Sequence, residues 1–299
     1  MSVAWGVACT LKATTEQTQA FVAHHLGLGA AEIWLFFDDP EDPAAEAVTG
    51  VPGVRVCRCD ETHWKRMGGR NERHQGRQSR NMKYAYRRTR LPWLGHIDVD
   101  EYLLPHKPVG EVLAGYDPDQ IMFRMAPWEA LHDQGLPDDI FTARHFRAAL
   151  RAKEQGDLRR LAFGPHAPAM AAGVLSHSVG KCFMRTGIEG LQPRLHGAFM
   201  NGDWLRGPPF HPDVALLHFH AEDPVRWFDR LDFRLSRGAY QNNEPLVGWL
   251  KQATEAERQA FYERVQSPGP EVCDQLRAAG VLIEADLGLR ARVAEVFGT

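Results

Sequence analysis

Four short apolar runs in the first hundred residues alternate with stretches of helical character, and this alternation restricts the fold more than any other feature. Trp5 to Leu11 reads as a buried strand. Thr15 to Leu26 reads as a helix, with Ala20, Phe21, His24 and Leu28 at helical spacing and Gly27 and Gly29 at its end. Ile33 to Phe37 is a second strand and runs straight into the acidic turn Asp38-Asp39-Pro40-Glu41-Asp42-Pro43. Val54 to Cys59 is a third strand, Gln75 to Arg88 a basic helix, and Leu94 to Ile97 a fourth strand ending at Asp98. A βαβαβ-like order predicts a mostly parallel sheet with helices on both faces. Such sheets bind ligands beyond the C-terminal ends of their strands. The acidic turns Asp38–Asp42 and Asp98–Glu101 both fall at such ends, so one site is expected there.

The rest of the chain is less regular. Gln120 to Met125 is a further strand candidate, and Pro127 to Pro137 reads as an irregular loop holding Trp128, Glu129, His132 and Asp133. Pro165 to Pro212 is rich in Gly, Pro and His, which suits a substrate-binding or lid region and equally a surface loop. An apolar piece follows at Leu216, and the remainder reads as helical. Thr254-Glu255-Ala256-Glu257 fits a capping box, and Pro268-Gly269-Pro270 divides the tail into two helical pieces.

The 299 residues, 44% of them hydrophobic, allow one large domain or two small ones. A formal net charge of -3 provides no global field toward nucleic acid, so any basic patch is local. The cysteines Cys9, Cys57, Cys59, Cys182 and Cys273 are odd in number and lack framework spacing, which predicts a reduced, cytoplasmic chain. No run approaches the roughly 18–20 apolar residues of a membrane span. The N-terminus shows no basic-then-apolar signal pattern, so no signal peptide is expected. Peripheral association with the inner face of a membrane stays open.

The sharpest chemical feature is Gly95-His96-Ile97-Asp98-Val99-Asp100-Glu101-Tyr102-Leu103. On a strand, positions i and i+2 point the same way, so Asp98 and Asp100 at a strand end can share one divalent ion. Carboxylate oxygens are the ligands that Mg²⁺ and Mn²⁺ prefer, and a diphosphate leaving group needs such a cation as charge builds on it. An isolated D-x-D is ordinarily a solvated acidic turn. The strand context and the third acid, Glu101, favour the metal reading here. His24 and His25 end a helix, where packing or dipole roles are usual. His218 and His220 are two residues apart, but no Cys or third His stands at a familiar zinc spacing. The basic run from Lys65 to Arg90 places Arg73, Arg77 and Arg80 on one helix side, ordinarily a solvated face. They are also candidates to meet phosphate, an anionic acceptor or a membrane surface.

The block Asp98-Val99-Asp100-Glu101-Tyr102-Leu103 resembles the D-V-D-E-F-L block of bacterial family 2 glycosyltransferases and the related family 92 enzymes. Further blocks follow in that family's order over about residues 5 to 240. Phe21 to Gly29 resembles its W-x-x-H-H-x-x-x-G helix end, and Ile33 to Asp42 its strand and acidic turn. Gln78, Asn81 and Trp93 stand where the family has a Gln- and Asn-bearing helix and a Trp before the metal strand. Gly180-Lys181, Pro193-Arg194-Leu195-His196 and Leu217-His218-Phe219-His220, with Trp227, Arg237 and Gly238, resemble its later elements.

The resemblance implies a GT-A-like fold, an α/β Rossmann-like sheet flanked by helices, over residues 1–240. About 1–105 would bind the nucleotide sugar and about 106–240 the acceptor, with 241–299 a helical C-terminal extension. It implies a nucleoside-diphosphate sugar donor, a carbohydrate or glycolipid acceptor, Mn²⁺ or Mg²⁺, and inversion at the anomeric carbon. Carried over by position, Asp98, Asp100 and His218 would hold the metal. Thr10, Lys12, Asp38, Asp42, Gln78, Asn81, Lys83, Asp98, Val99 and Lys181 would line the donor site. The acceptor-activating base has no clear match, so Glu129, Asp133 and Asp203 are its candidates, in that order of preference. Two departures stand out: Lys12-Ala13-Thr14 replaces the family's K-N-E, and Phe21 replaces its Trp. They leave the donor less defined than the reaction class.

Three rivals remain. A non-catalytic nucleotide- or carbohydrate-binding domain of the same fold would tolerate the lost K-N-E acid. A D-x-D phosphatase or phosphotransferase would want Thr or Val where Tyr102 stands. A nucleotidyltransferase would want a Gly-rich basic loop after the first strand, and Leu11 to Gln17 has no glycine.

Overall fold

The computed structural model describes residues 1–133, 136, 140–238, 240–241 and 243–298. They form two compact units. The first holds residues 1–126, 180–216 and the chain from Gly288 onward, and the second holds 127–179 and 217–287. The tail beyond residue 240 is thus shared between them.

In chain order the elements are β1 Trp5–Leu11, α1 Thr15–Gly27, β2 Glu32–Phe37, α2 Ala44–Ala47, β3 Val54–Arg58, α3 Glu61–Arg66, α4 His74–Tyr86 and β4 Trp93–His96. There follow β5 Glu101–Pro105, α5 Val109–Ala114, β6 Met122–Ala130, β7 His145–Ala148, α6 Gly156–Phe163 and β8 Lys181–Arg185. Next come β9 Leu191–Arg194, β10 Gly197–Met200, β11 Asp203–Leu205, β12 Val214–His218, α7 Pro224–Asp229 and α8 Leu231–Ser236. The chain closes with α9 Glu244–Gln252, α10 Glu255–Gln266, α11 Pro270–Ala278, β13 Leu282–Glu284 and α12 Leu289–Phe297.

In the first unit β3, β2, β1 and β4 lie side by side in that order, all parallel, with Val7 opposite both Ile33 and Gly95. Every residue of β1 is buried, as a strand covered on both faces requires. Glycine lets neighbours close in: a Cβ at Gly6 would stand 2.6 Å from the Glu32 carbonyl oxygen, and one at Gly95 would stand 2.8 Å from the Phe183 ring. Beyond β4 the sheet turns antiparallel, through β8 and then β6. The α/β class expected from the alternation is therefore the one observed, as a mixed sheet whose first four strands are parallel.

The step from β1 to β2 runs one way across the sheet, and the step from β3 to β4 runs back. Right-handed crossovers then set α1 and α4 on opposite faces. On the α4 face, Ala8, Trp34, Phe36 and Leu94 pack with Met82, Ala85 and Tyr86. Helix α1 starts at Thr14, whose hydroxyl accepts from the Gln17 N–H at 3.2 Å. It packs against α12, and Glu16 pairs with Arg290.

In the second unit the end of β6 pairs with β7, and β7 with β13. Helices α6 to α11 enclose a core around Trp227, Tyr240, Leu246, Phe261 and Tyr262. The capping box at Thr254 and Glu257 opens α10, and the break at Pro268-Gly269-Pro270 separates α10 from α11.

Two expectations change. The Pro127–Pro137 segment is strand β6 as far as Ala130, while residues 134, 135 and 137 lie outside the described residues. Within Pro165–Pro212 the chain builds β8 and a three-stranded antiparallel sheet, β9-β10-β11. Its glycines serve turns there, with Gly187, Gly190 and Gly202 at positive φ.

Candidate functional site

In the first unit, helix α4 faces the C-terminal ends of the parallel strands with three buried polar side chains, Arg77, Gln78 and Asn81. Each reaches a different strand. Asn81 donates to the Thr10 hydroxyl on β1 at 3.0 Å and accepts from His63 at 2.9 Å. Arg77 grips Asp38, just past β2, with two bonds of 2.7 Å, and Arg70 adds a second guanidinium at 3.1 Å. Gln78 donates to one carboxylate oxygen of Asp98 at 2.6 Å. Arg77 is thus a buried ion-pair partner and departs from the solvated face expected for the basic helix. Arg73 is exposed, and Arg80 caps the Gly69 carbonyl.

The Asp98–Glu101 turn is closed by its own residues. Glu101 accepts from the Asp98 backbone N–H at 2.8 Å. Lys181, the first residue of β8 and 1% exposed, places its ammonium 2.5 Å from Asp98 and 3.3 Å from Glu101. Burial by itself would lower the lysine's pKa. The two carboxylates outweigh burial and hold it above its ordinary value. Gly180 has φ +74°, and a Cβ there would collide with the Met125 carbonyl. The Gly-Lys pair is therefore a backbone requirement: only glycine turns the chain there and delivers the lysine.

His96, 1% exposed, has no hydrogen-bond partner on either ring nitrogen among the described residues. Burial, then the nearby Lys181 charge, lowers its pKa to about 4, so it is neutral.

Other expected donor-site residues are placed as follows. Lys12 is exposed and lines a depression of about 390 Å³, together with Asp38, Asp39, Asp60, Glu61 and Arg70. Asp42 is buried and accepts from the Ala44 N–H at 2.9 Å, which opens α2. Lys83 bonds Gln192 at 3.2 Å. Its pKa is lowered by burial and by Arg194, Arg87 and Arg80. Val99 and Asp100 are half-buried beside Asp98.

Asp203 is exposed on β11. The other two base candidates belong to the second unit and are already engaged. Glu129, 1% exposed, accepts from the backbone N–H groups of Leu175 and Ser176, at 3.0 and 2.7 Å, and pairs with Arg147. Asp133 accepts from the backbone and ring of His145. His218 also lies in the second unit, 5% exposed at the end of β12, and its ring neighbours those of His177 and His220.

The arrangement in the first unit gathers acids, one buried ammonium and several amide and hydroxyl groups beyond parallel strand ends. It suits a polyanionic ligand bridged by a cation. The sequence marks Arg77 only as one of three basic residues on a helix side, not as a partner of Asp38, and does not single out His63. Their partners Asp38 and Asn81 are 39 and 18 residues away, and no local pattern marks such pairs.

No family model matches the chain, and no curated protein matches it. A solved structure of CMP:2-keto-3-deoxy-manno-octonic acid synthetase complexed with CTP is similar with a TM-score of 0.28 and 14% identity, over 42% of this chain and 53% of that one. The chain thus spans about half the length of that synthetase. The structure of S. aureus TarS 1–349 is similar with a TM-score of 0.30 and 12% identity, over 98% of this chain and 89% of that one. Likenesses this distant add nothing to the topology and geometry above. Among the described residues no helix is long and apolar enough to cross a membrane.

Proposed function

We propose that the protein is a glycosyltransferase of GT-A type that takes a sugar from a nucleoside-diphosphate donor and passes it to a carbohydrate or glycolipid hydroxyl. The observation that carries this reading is the pair of charged groups that α4 meets beyond the ends of the parallel strands: Lys181 with Asp98 and Glu101, and Arg77 with Asp38, which lines an open depression.

The donor set fits a hard divalent cation. Asp98 and Asp100 would hold Mn²⁺ or Mg²⁺, and His218 enters the proposal on sequence alone. When bound, such an ion neutralises the departing diphosphate. The chain's own residues do the rest. Gln78 and Lys181 fix the Asp98 carboxylate, and Arg77 and Arg70 fix Asp38 near the nucleoside. Thr10, Lys12 and Asn81 border the donor. An inverting transfer needs a carboxylate that takes the acceptor proton. Asp203 is exposed, whereas Asp133 and Glu129 already accept several hydrogen bonds, so the proposed order is Asp203, Asp133, Glu129.

The test is thermal stability against a panel of nucleoside diphosphates, with and without Mn²⁺. A ligand that binds only the folded chain raises the melting temperature. UDP or GDP stabilising the protein only with metal, and not stabilising Asp100→Asn, is the expected result. No shift with any nucleotide under any metal condition overturns the reading. Stabilisation without turnover on any donor would make the chain a binding domain.

A further inference from the structure

In the second unit, the loop before Gly180 is largely buried and anchored at several points. Gly173 has φ +70°, and a Cβ there would collide with the Leu150 backbone, so only glycine lets the chain cross at that point. Two residues on, the Leu175 and Ser176 N–H groups both end on the Glu129 carboxylate. That carboxylate is itself fixed by Arg147, directly across the β6–β7 ladder, and by Gln266 at 3.2 Å. Glu129, Arg147, Gln266, Leu175 and Ser176 are all buried. The residue delivered by this anchor is His177, half-buried.

His177 meets His218. Their ring centres are 5.2 Å apart, and a ring nitrogen of each lies within 4.8 Å of the other. Two imidazoles that bind one ion at about 2.0–2.2 Å and a near-tetrahedral angle have ring centres roughly 5 Å apart by trigonometry. The neighbouring ring, His220, is already committed. Trp227 donates to the Tyr240 hydroxyl oxygen at 2.9 Å, and the same hydroxyl shares a hydrogen bond with His220 Nε2 at 3.1 Å. The Tyr240 hydroxyl thus ties Trp227 to His220. It makes His220 a positioning residue, packed 5.3 Å from the His218 ring.

We propose that His177 and His218 form a two-imidazole site for a divalent cation within the second unit. The inference rests on the assignment of His218 to a metal in the proposed function and adds to it a residue that the sequence did not mark. Two neutral imidazoles shift preference from Mg²⁺ toward Mn²⁺ and later transition ions. Glu129, Gly173 and His220 are then the frame that holds the pair, as supporting groups do at metal sites.

The experiment uses the full chain, freed of metal with EDTA and titrated with Mn²⁺ alone. Bound ion is read by electron paramagnetic resonance, and coordinated nitrogen by ¹⁴N spin-echo modulation. Wild type is expected to show ¹⁴N coupling. His177→Ala and His177→Gln are each expected to lose part of it, with Mn²⁺ affinity falling about tenfold or more. The inference is overturned if wild-type Mn²⁺ shows no nitrogen coupling, a result that needs no variant. It is also overturned if both variants, folded by circular dichroism, keep affinity and coupling unchanged. A nucleotide that stabilises the chain with Mn²⁺ in the absence of nitrogen coupling would sink this inference and leave the transferase reading standing. Nitrogen-coupled Mn²⁺ with no nucleotide response would do the reverse.

Discussion

Lys181→Met is the most informative stability experiment. The methionine keeps most of the aliphatic volume and removes the ammonium. In wild type that ammonium is 1% exposed and lies 2.5 Å from Asp98 and 3.3 Å from Glu101, itself fully buried. Removing one member of a buried ion pair leaves an uncompensated charge and costs about 3–5 kcal/mol. Here two carboxylates lose the same cation, so the upper half of that range is expected. At about 2 °C per kcal/mol for a chain of this length, the melting temperature should fall by roughly 8–10 °C. The sign of the pH dependence is also defined. The folded pKa of Lys181 lies above its ordinary value of 10.5. Its contribution is therefore fully present below 10.5 and is lost only as pH rises through the folded value. Between about pH 6 and 9 the lysine's own titration should not alter the deficit.

The double variant Lys181→Met, Glu101→Gln removes the more deeply buried of the two stranded charges as well and should recover part of the loss, because neighbouring effects of this kind do not add. Urea unfolding of wild type, both single variants and the double variant closes the cycle. A loss below about 1 kcal/mol for Lys181→Met, the size of an exposed pair, would refute the argument that this group organises the turn.

Three further outcomes are expected. Asp98→Asn and Asp100→Asn should both abolish sugar transfer, but Asp98→Asn should also lower the melting temperature, because it weakens the bond to Lys181; equal stability of the two would contradict the geometry. Burial lowers the pKa of His24 to about 4 and that of His25 well below 6.5. Their contribution is thus present above pH 6.5 and lost as pH falls toward 4, by up to about 1.4 kcal/mol per pH unit for each group. Urea unfolding at a series of pH values should show this slope, and His24→Gln should flatten it by one proton's worth. Asp203→Asn should lower turnover at least about a hundredfold while leaving donor-dependent stabilisation intact; unchanged turnover would remove Asp203 from the base role.

The alternation of strands and helices in the first hundred residues was legible from sequence because hydrophobic period is a local property. Each of the four strands there lies within about a residue or two of where the apolar runs placed it. Asp38 and Asp98 fall beyond strand ends for the same reason, since an acidic turn after an apolar run needs no knowledge of what lies across the sheet. The Thr254 capping box and the Pro268–Pro270 break were legible too, as signals spanning three or four residues.

Tertiary structure decided the partners. Arg77 grips Asp38 from 39 residues away, Lys181 reaches Asp98 from 83, and Glu129 anchors Leu175 and Ser176 from 46 and 47. It also decided that β8 and β6 join the sheet antiparallel, that a Gly- and Pro-rich stretch builds a small sheet, and that the tail divides at Gly288. Periodicity and caps are written in bonds between near neighbours along the chain. A buried charge takes its counter-charge from whichever segment the packing of the core brings beside it, and that choice is made in space.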